Sequence, residues 1–245
     1  MKKERLHFID TIRGMVLLSM ILYHASWNLV YMYHVSWPWF HSKGAYYWQQ
    51  SICWTFIFIS GFCFPLAKHH IKSGSLVFGS GILVTIVTLL FMPQNRVVFG
   101  VLSCIGSCIL LLTIGEKWLK KIKPELGSVI AFLIFLVTKH VNAGYLGFGS
   151  IKILKFPKAW YSNYFTAFWG FPFPRFFSTD YFSVFPWIFL FATGFYVSLL
   201  VQKRGYFKYH FWKKKIEIFA FAGRHSLIIY LLHQPIIFAL QEVFF

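Results

Sequence analysis

Acidic side chains are scarce in this sequence: seven Asp and Glu stand against 24 Lys and Arg in 245 residues. All charged types together make 13%, about half the share of soluble globular chains. With a 58% hydrophobic content, that scarcity excludes the soluble class and leaves no stretch able to build a separate core of its own. Carboxylates are nowhere clustered, no histidine pair has zinc-binding spacing, and neither a P-loop nor a dinucleotide-binding glycine pattern occurs. No metal is expected. Only four cysteines are present, Cys53, Cys63, Cys104 and Cys108, all inside apolar runs. Cys104 and Cys108 are one helical turn apart but have no aqueous His or Asp cluster beside them, so buried free thiols are expected. The basic start lacks a following small-x-small cleavage site, and the first apolar run holds Arg13 and His24, so it reads as a retained first helix.

What is abundant is apolar and aromatic: 31 Phe, 13 Tyr and 10 Trp, with long apolar runs down the whole chain. The expected fold is an all-α, polytopic membrane helical bundle forming one membrane-embedded domain over residues 1–245. About seven spans are expected, near 11–33, 48–67, 75–92, 97–115, 126–141, 184–202 and 219–243. The last can start as late as Ser226, because Gly223-Arg224 interrupts it.

The formal charge of +17 invites a nucleic-acid partner, and the placement of the charges argues against one. Lys2-Lys3/Arg5, Lys117/Lys120-Lys121/Lys123 and Lys203-Arg204/Lys208/Lys213-Lys214-Lys215 are short clusters between apolar spans. That is the pattern of a positive-inside bias and of attraction to anionic membrane lipids. The same lysines can serve a phosphorylated cytoplasmic ligand. A cytoplasmic N terminus puts these clusters, with Lys68 and Lys72, on one side, and seven spans then place the C terminus outside. His69-His70 belongs to the same inner basic loop, where adjacent side chains point apart and no acid accompanies them.

The first span carries a polar stripe. Asp10, Arg13, His24, Asn28 and Tyr31 fall within about 60° on a helix advancing about 100° per residue. Ionisable groups in lipid cost several kcal/mol, so the stripe faces protein. Asp10 is placed to pair with Arg13, either as a structural pair or to hold the guanidinium toward phosphate or amide groups of a cytoplasmic cofactor. His24 stands about 16.5 Å further along the same line. A neutral imidazole there is suited to proton transfer, with Asn28 holding the ring or the acceptor; a packed, satisfied histidine is the plainer alternative.

The last span adds Ser226, Tyr230, His233 and Gln241 on one face, with Gln234 beside His233 and Pro235 interrupting the backbone ladder. His233 is a second catalytic candidate, unless this face merely joins helices. Arg224, His225 and Ser226, near the cytoplasmic side, are candidates for cofactor contact. Asp180, the only acid between Glu125 and Glu217, precedes the sixth span in Asp180-Tyr181-Phe182-Ser183-Val184-Phe185-Pro186-Trp187. It is suited to orienting an imidazole or binding an acceptor, and equally to capping a helix. Residues 142–183 are too aromatic for a solvated loop. Trp169 and its neighbours either lie in an aromatic belt or cap an outward site, stacking on sugar faces. Asn28, Tyr230, Gln234, Trp169 and Trp187 are the candidates for the acceptor side.

The chain resembles the transmembrane acyltransferase group, and within it the bacterial relatives of heparan-alpha-glucosaminide N-acetyltransferase. The residues that carry this are Arg5-x-x-x-Ile9-Asp10-x-x-Arg13-Gly14, the spacing to His24, and Phe58-Ile59-Ser60-Gly61. Further along come Phe99-Gly100-Val101-Leu102 with Ile105-Gly106, and Asp180-Tyr181-Phe182 with Phe185-Pro186-Trp187. Last is Ser226-Leu227-x-x-Tyr230-Leu231-x-His233-Gln234-Pro235. The resemblance implies an enzyme of the bacterial cytoplasmic membrane that takes an acetyl or other acyl group from cytoplasmic acyl-CoA. The acceptor would be a sugar of the cell envelope on the other face. It implies a catalytic role for His24, an acyl-donor role for Arg13, and membership of the last-helix motif for His233. Ser103 stands where relatives often carry histidine, and larger relatives have more spans.

A physical argument runs alongside. Coenzyme A is large and anionic and crosses an apolar layer only at high cost, whereas its pantetheine arm can reach inward from a basic mouth. Two other classes stay open: a transporter or flippase for a lipid-linked glycan, and a noncatalytic membrane scaffold; assembly into a homo-oligomer is open to the enzyme as to either of them. Inverted repeats would mark the first. A tunnel from Arg13 to His24 would mark the enzyme, and a polar stripe used only for helix pairing the scaffold.

Overall fold

A computed structural model describes residues 6–149 and 151–244, most of them helical. Lys2, Lys3 and Arg5 lie outside the described residues. The chain divides into two compact units, residues 1–56 with 205–245, and residues 57–204.

The first unit is built on α1 (His7–Tyr31), the start of α2 (Lys43–Cys63), and the terminal pair α8 (Glu217–Arg224) and α9 (Ser226–Gln241). The expected last span is thus two helices, parted at His225 (φ −104°, ψ 20°), where Gly223-Arg224 interrupts the apolar pattern. Pro235 lies inside α9 without ending it. Two glycines set how near α1 and α8 come. A Cβ on Gly14 would stand 1.9 Å from the Phe219 carbonyl oxygen, and one on Gly223 would stand 1.9 Å from that of Asp10. Small residues allow such backbone approach where lipid supplies no hydrophobic drive for helix pairing. Thr11 extends the seam: its hydroxyl donates to the His7 carbonyl and accepts from the Ile216 amide at 3.3 Å. At the start of α8, Lys215 pairs with Glu217, and that hydrogen bond holds the Glu217 carboxyl below its ordinary pKa. Leu17, Met20 and Ile52 form the buried centre of the unit, with Tyr23, Trp48, Ile229 and Tyr230 against them.

The second unit holds the rest of α2, then α3 (His70–Phe91), α4 (Val101–Leu119), α5 (Pro124–Thr138), α6 (Tyr164–Trp169) and α7 (Val184–Lys203). The same small-residue logic recurs here. Gly61, from the Phe58-Ile59-Ser60-Gly61 run, lies under the Phe191 carbonyl, and Gly194 faces the Phe58 carbonyl in return. Between α3 and α4, Gly106 meets Phe78 and Gly81 meets Ser103. A Cβ on Gly81 would already be 2.4 Å from the Ser103 hydroxyl, so α3 and α4 are in close contact there. Cys104 and Cys108 are buried free thiols.

Among the described residues, five helical stretches are long and apolar enough to cross a bilayer: α1, α3, α4, residues 124–143 beginning with α5, and α7. Length and hydropathy give these five where the sequence pattern suggests seven; the other two are α2 and α9. Lys43, Gln49, Gln50 and Ser51 dilute the first half of α2, and α9 has only 16 residues. Side chains such as Leu76, Leu83, Ile86 and Leu90 on α3, and Val129 and Leu133 on α5, are exposed. Apolar residues on every face mark helices that meet lipid. The protein is an all-α, multi-pass membrane protein with aromatic clusters.

One departure from pure helix was not expected. Within the aromatic 142–183 segment, β1 (Tyr145–Phe148) and β2 (Ile151–Lys155) pair antiparallel, Tyr145 opposite Lys155 and Leu146 opposite Leu154. The strands are too short for alternation to stand out in a sequence this apolar. Short α6 follows, capped reciprocally by Asn163 and Thr166.

Candidate functional site

The polar stripe of α1 meets the polar face of α9. His24 and His233 lie with ring centroids 4.9 Å apart and planes inclined by 56°. His24 is half-buried, whereas His233 is 6% exposed. The Gln234 side-chain amide donates to His24 Nδ1 at 3.1 Å. His233 Nδ1 donates to the Tyr230 carbonyl, the acceptor one turn earlier on the same helix. His233 Nε2 is buried without a hydrogen-bond partner among the described residues. A buried polar atom left in that state marks a place where a substrate atom or proton can be received.

Amides complete the arrangement. Asn28, 2% exposed, donates through Nδ2 to Gln234 Oε1 at 3.3 Å and to Gln241 Oε1 at 3.0 Å. Gln241 Nε2 donates to the Ala25 carbonyl at 3.0 Å. Gln234 and Gln241 are seven residues apart, two helical turns, and so share one line on α9. That spacing was the available signal for Gln241, which sequence reasoning placed on the polar face without a role.

Nearer the start of α1, Arg13 Nη1 is 3.7 Å from the buried Asp10 carboxylate and 3.4 Å from the Gly223 carbonyl. The guanidinium is thereby tied to both α1 and α8. Arg224 stacks over the Phe221 ring at 5.9 Å; exposed His225 lies 3.2 Å through Nδ1 from the Phe221 carbonyl, and Ser226 opens α9. Tyr31, last of the stripe, is exposed and meets His41 Nδ1 at 3.4 Å.

The remaining candidates belong to the second unit. Asp180 Oδ2 accepts from the Val101 amide at 3.2 Å, capping α4 from 79 residues away. A carboxylate at a helix start meets its unpaired amides and its positive dipole end. Around it the motifs Phe99-Gly100-Val101 and Asp180-Tyr181-Phe182 become one structure. The Phe182 amide donates to the Phe99 carbonyl at 2.8 Å, Thr179 to Arg96 at 3.1 Å, and Val98 to the Ser178 hydroxyl at 2.9 Å. The half-buried Tyr181 hydroxyl donates to the Ala167 carbonyl, and its partial burial pushes the phenol well above the ordinary pKa. Trp187 is buried, its ring 5.3 Å from Phe135 and 5.0 Å from Phe182; half-buried Trp169 ends α6 beside Phe168.

A facing pair of neutral-capable imidazoles, one with an unmet buried nitrogen, can move a proton between an incoming nucleophile and a leaving group. Among the described residues, no three His, Cys, Asp or Glu gather as a metal centre requires. Comparison with curated proteins and with solved structures gave no match. Comparison with protein families did: residues 5–235 match the family described as heparan-alpha-glucosaminide N-acetyltransferase, catalytic, a span that takes in α1, both histidines and the Asp180 segment. The chain belongs to that acetyltransferase catalytic-domain family.

Proposed function

We propose that this protein transfers an acetyl or other short acyl group from cytoplasmic acyl-CoA to a hydroxyl or amine of a cell-envelope sugar on the outer face. The observation that carries the reading is the His24–His233 pair, held by a satisfied amide network in a membrane protein of this family. Arg13, steadied by Asp10, belongs to the donor side, and so do Arg224, His225 and Ser226, which directly follow Gly223, the residue whose carbonyl Arg13 meets. Asn28, Tyr230 and Gln234 line the reacting pair; Asp180, Trp169 and Trp187 are proposed for the acceptor side. Transfer joins the acceptor oxygen or nitrogen to the acyl carbon, breaks the thioester C–S bond and releases coenzyme A as thiol. The acceptor proton is the one that must be carried.

The test is direct. Purified protein in lipid nanodiscs, given labelled acetyl-CoA and a cell-envelope glycan mixture, is expected to release coenzyme A and label the glycan. Folded wild-type protein that does neither would favour a transporter or scaffold and end the enzyme reading.

The proposed frame has the whole chain as one domain in a bacterial cytoplasmic membrane, α2 and α9 adding to the five long spans to make seven crossings. The N terminus is cytoplasmic and the C terminus external. Cysteines placed at Lys121 and Lys155 and labelled with an impermeant reagent in intact cells should react only at position 155. Labelling at position 121 would reverse the direction of transfer.

A further inference from the structure

We infer that a directed chain of amides at His24 and a backbone carbonyl at His233 fix the two rings in opposite tautomers, so that His233 is the proton acceptor and His24 the hydrogen-bond donor. The polarity starts at a group that cannot reverse. The Ala25 carbonyl only accepts, so the Gln241 atom 3.0 Å from it is the amide nitrogen, and Gln241 Oε1 must face Asn28. An oxygen there calls for the Asn28 Nδ2 group, whose second hydrogen meets Gln234 Oε1. Gln234 is left with its nitrogen toward His24, and donates to Nδ1. A neutral His24 that accepts at Nδ1 carries its hydrogen on Nε2. His233 is fixed the other way by one contact: the Tyr230 carbonyl requires a hydrogen on His233 Nδ1, which leaves the lone pair on Nε2, the buried unpartnered atom.

Assigning reaction roles to these tautomers rests on the proposed acyl transfer; the tautomers themselves do not. In the transfer, His233 Nε2 takes the proton of the acceptor hydroxyl or amine as the acceptor bonds to the acyl carbon. The His24 Nε2–H donates to the thioester carbonyl oxygen as it gains negative charge. The tetrahedral intermediate expels the coenzyme A sulfur, which takes the proton from His233, restoring both rings. Gln241, Asn28 and Gln234 touch no reacting atom and are positioning residues.

Histidine 15N spectra of the full chain in lipid nanodiscs test this, with His24→Gln and His233→Gln assigning the signals. Wild type should show His24 protonated at Nε2 and bare at Nδ1, and His233 the reverse. Gln234→Glu replaces the donor with an acceptor and should move a proton onto His24 Nδ1, leaving His233 unchanged. Asn28→Asp, which reverses the relay without touching either ring, should do the same if Gln234→Glu does not fold. A wild-type His24 protonated at Nδ1, or a folded relay variant with unchanged His24 signals, would overturn the relay. In turnover, His24→Gln keeps an N–H donor and should retain more activity than His233→Gln; the opposite order would overturn the division of labour. Tautomers as assigned in a protein with no acyl transfer would remove the enzyme reading and leave the relay standing. Transfer with reversed tautomers would do the opposite.

Discussion

Replacing His24 by alanine is expected to lower acyl transfer by about 10²–10⁴-fold while the protein stays folded. The fold should survive because the deletion removes one hydrogen bond, from the Gln234 amide, in a network otherwise anchored on Asn28, Gln241 and the Ala25 carbonyl. Losing one such contact costs about 1 kcal/mol. The chemistry should not survive, because no other imidazole stands beside His233 among the described residues of this unit. Turnover of labelled acetyl-CoA and thermal unfolding should be measured on the same preparation. Full turnover at wild-type Tm would take His24 out of the reaction, and a collapse in Tm would assign it to the fold.

A second large effect is expected from a single methyl group. Gly14→Ala should lower Tm clearly, although alanine in a helix ordinarily gains about 1 kcal/mol over glycine. The added Cβ would sit 1.9 Å from the Phe219 carbonyl oxygen, and a backbone group cannot rotate aside as a side chain can. Relieving it means moving α8 off α1, with the Arg13–Gly223 contact and the reciprocal Gly223–Asp10 approach moving as well. Overpacking of this kind costs about 1–3 kcal/mol and here outweighs the propensity gain. Gly79→Ala is the matched control: Gly79 lies in α3 with nothing within 4 Å of a new Cβ, and its variant should match or exceed wild type. A Gly14→Ala protein as stable as the Gly79→Ala protein would mean that α1 and α8 are not held at this distance.

These two residues also separate what can be read along a chain from what cannot. His24 is conspicuous in sequence because an imidazole inside an apolar span is costly wherever the helix lies. Gly14 carries no such mark. Its importance comes from Phe219, about two hundred residues away, and periodicity within α1 contains no trace of that partner. Asp180 shows the same division. As a solitary acid it stands out in the sequence, and capping was one of its expected uses, but the helix it caps is α4, 79 residues before it, rather than the span it precedes. Gln241 looked like one more polar residue on α9 until it proved to join Asn28 to the Ala25 carbonyl. The β1–β2 hairpin leaves no mark along the chain, because strands of four and five residues give too little alternation among so many apolar side chains.

The environment and the inventory of candidate residues are written along the chain. The apolar runs require lipid, the basic clusters propose an orientation, and the order of short motifs over residues 5–235 marks the family. Each follows from local cost or local pattern, which a linear chain displays in full. What these residues do to one another comes from the folded arrangement. It brought the His24 ring centroid to 4.9 Å from that of His233, set the direction of the amides between Ala25 and the first imidazole, and turned Gly14 and Gly223 into points of close backbone approach between α1 and α8. Those outcomes depend on pairing across distant segments, where carbonyls that can only accept and backbones that cannot yield select one arrangement from the many that the same residues would allow.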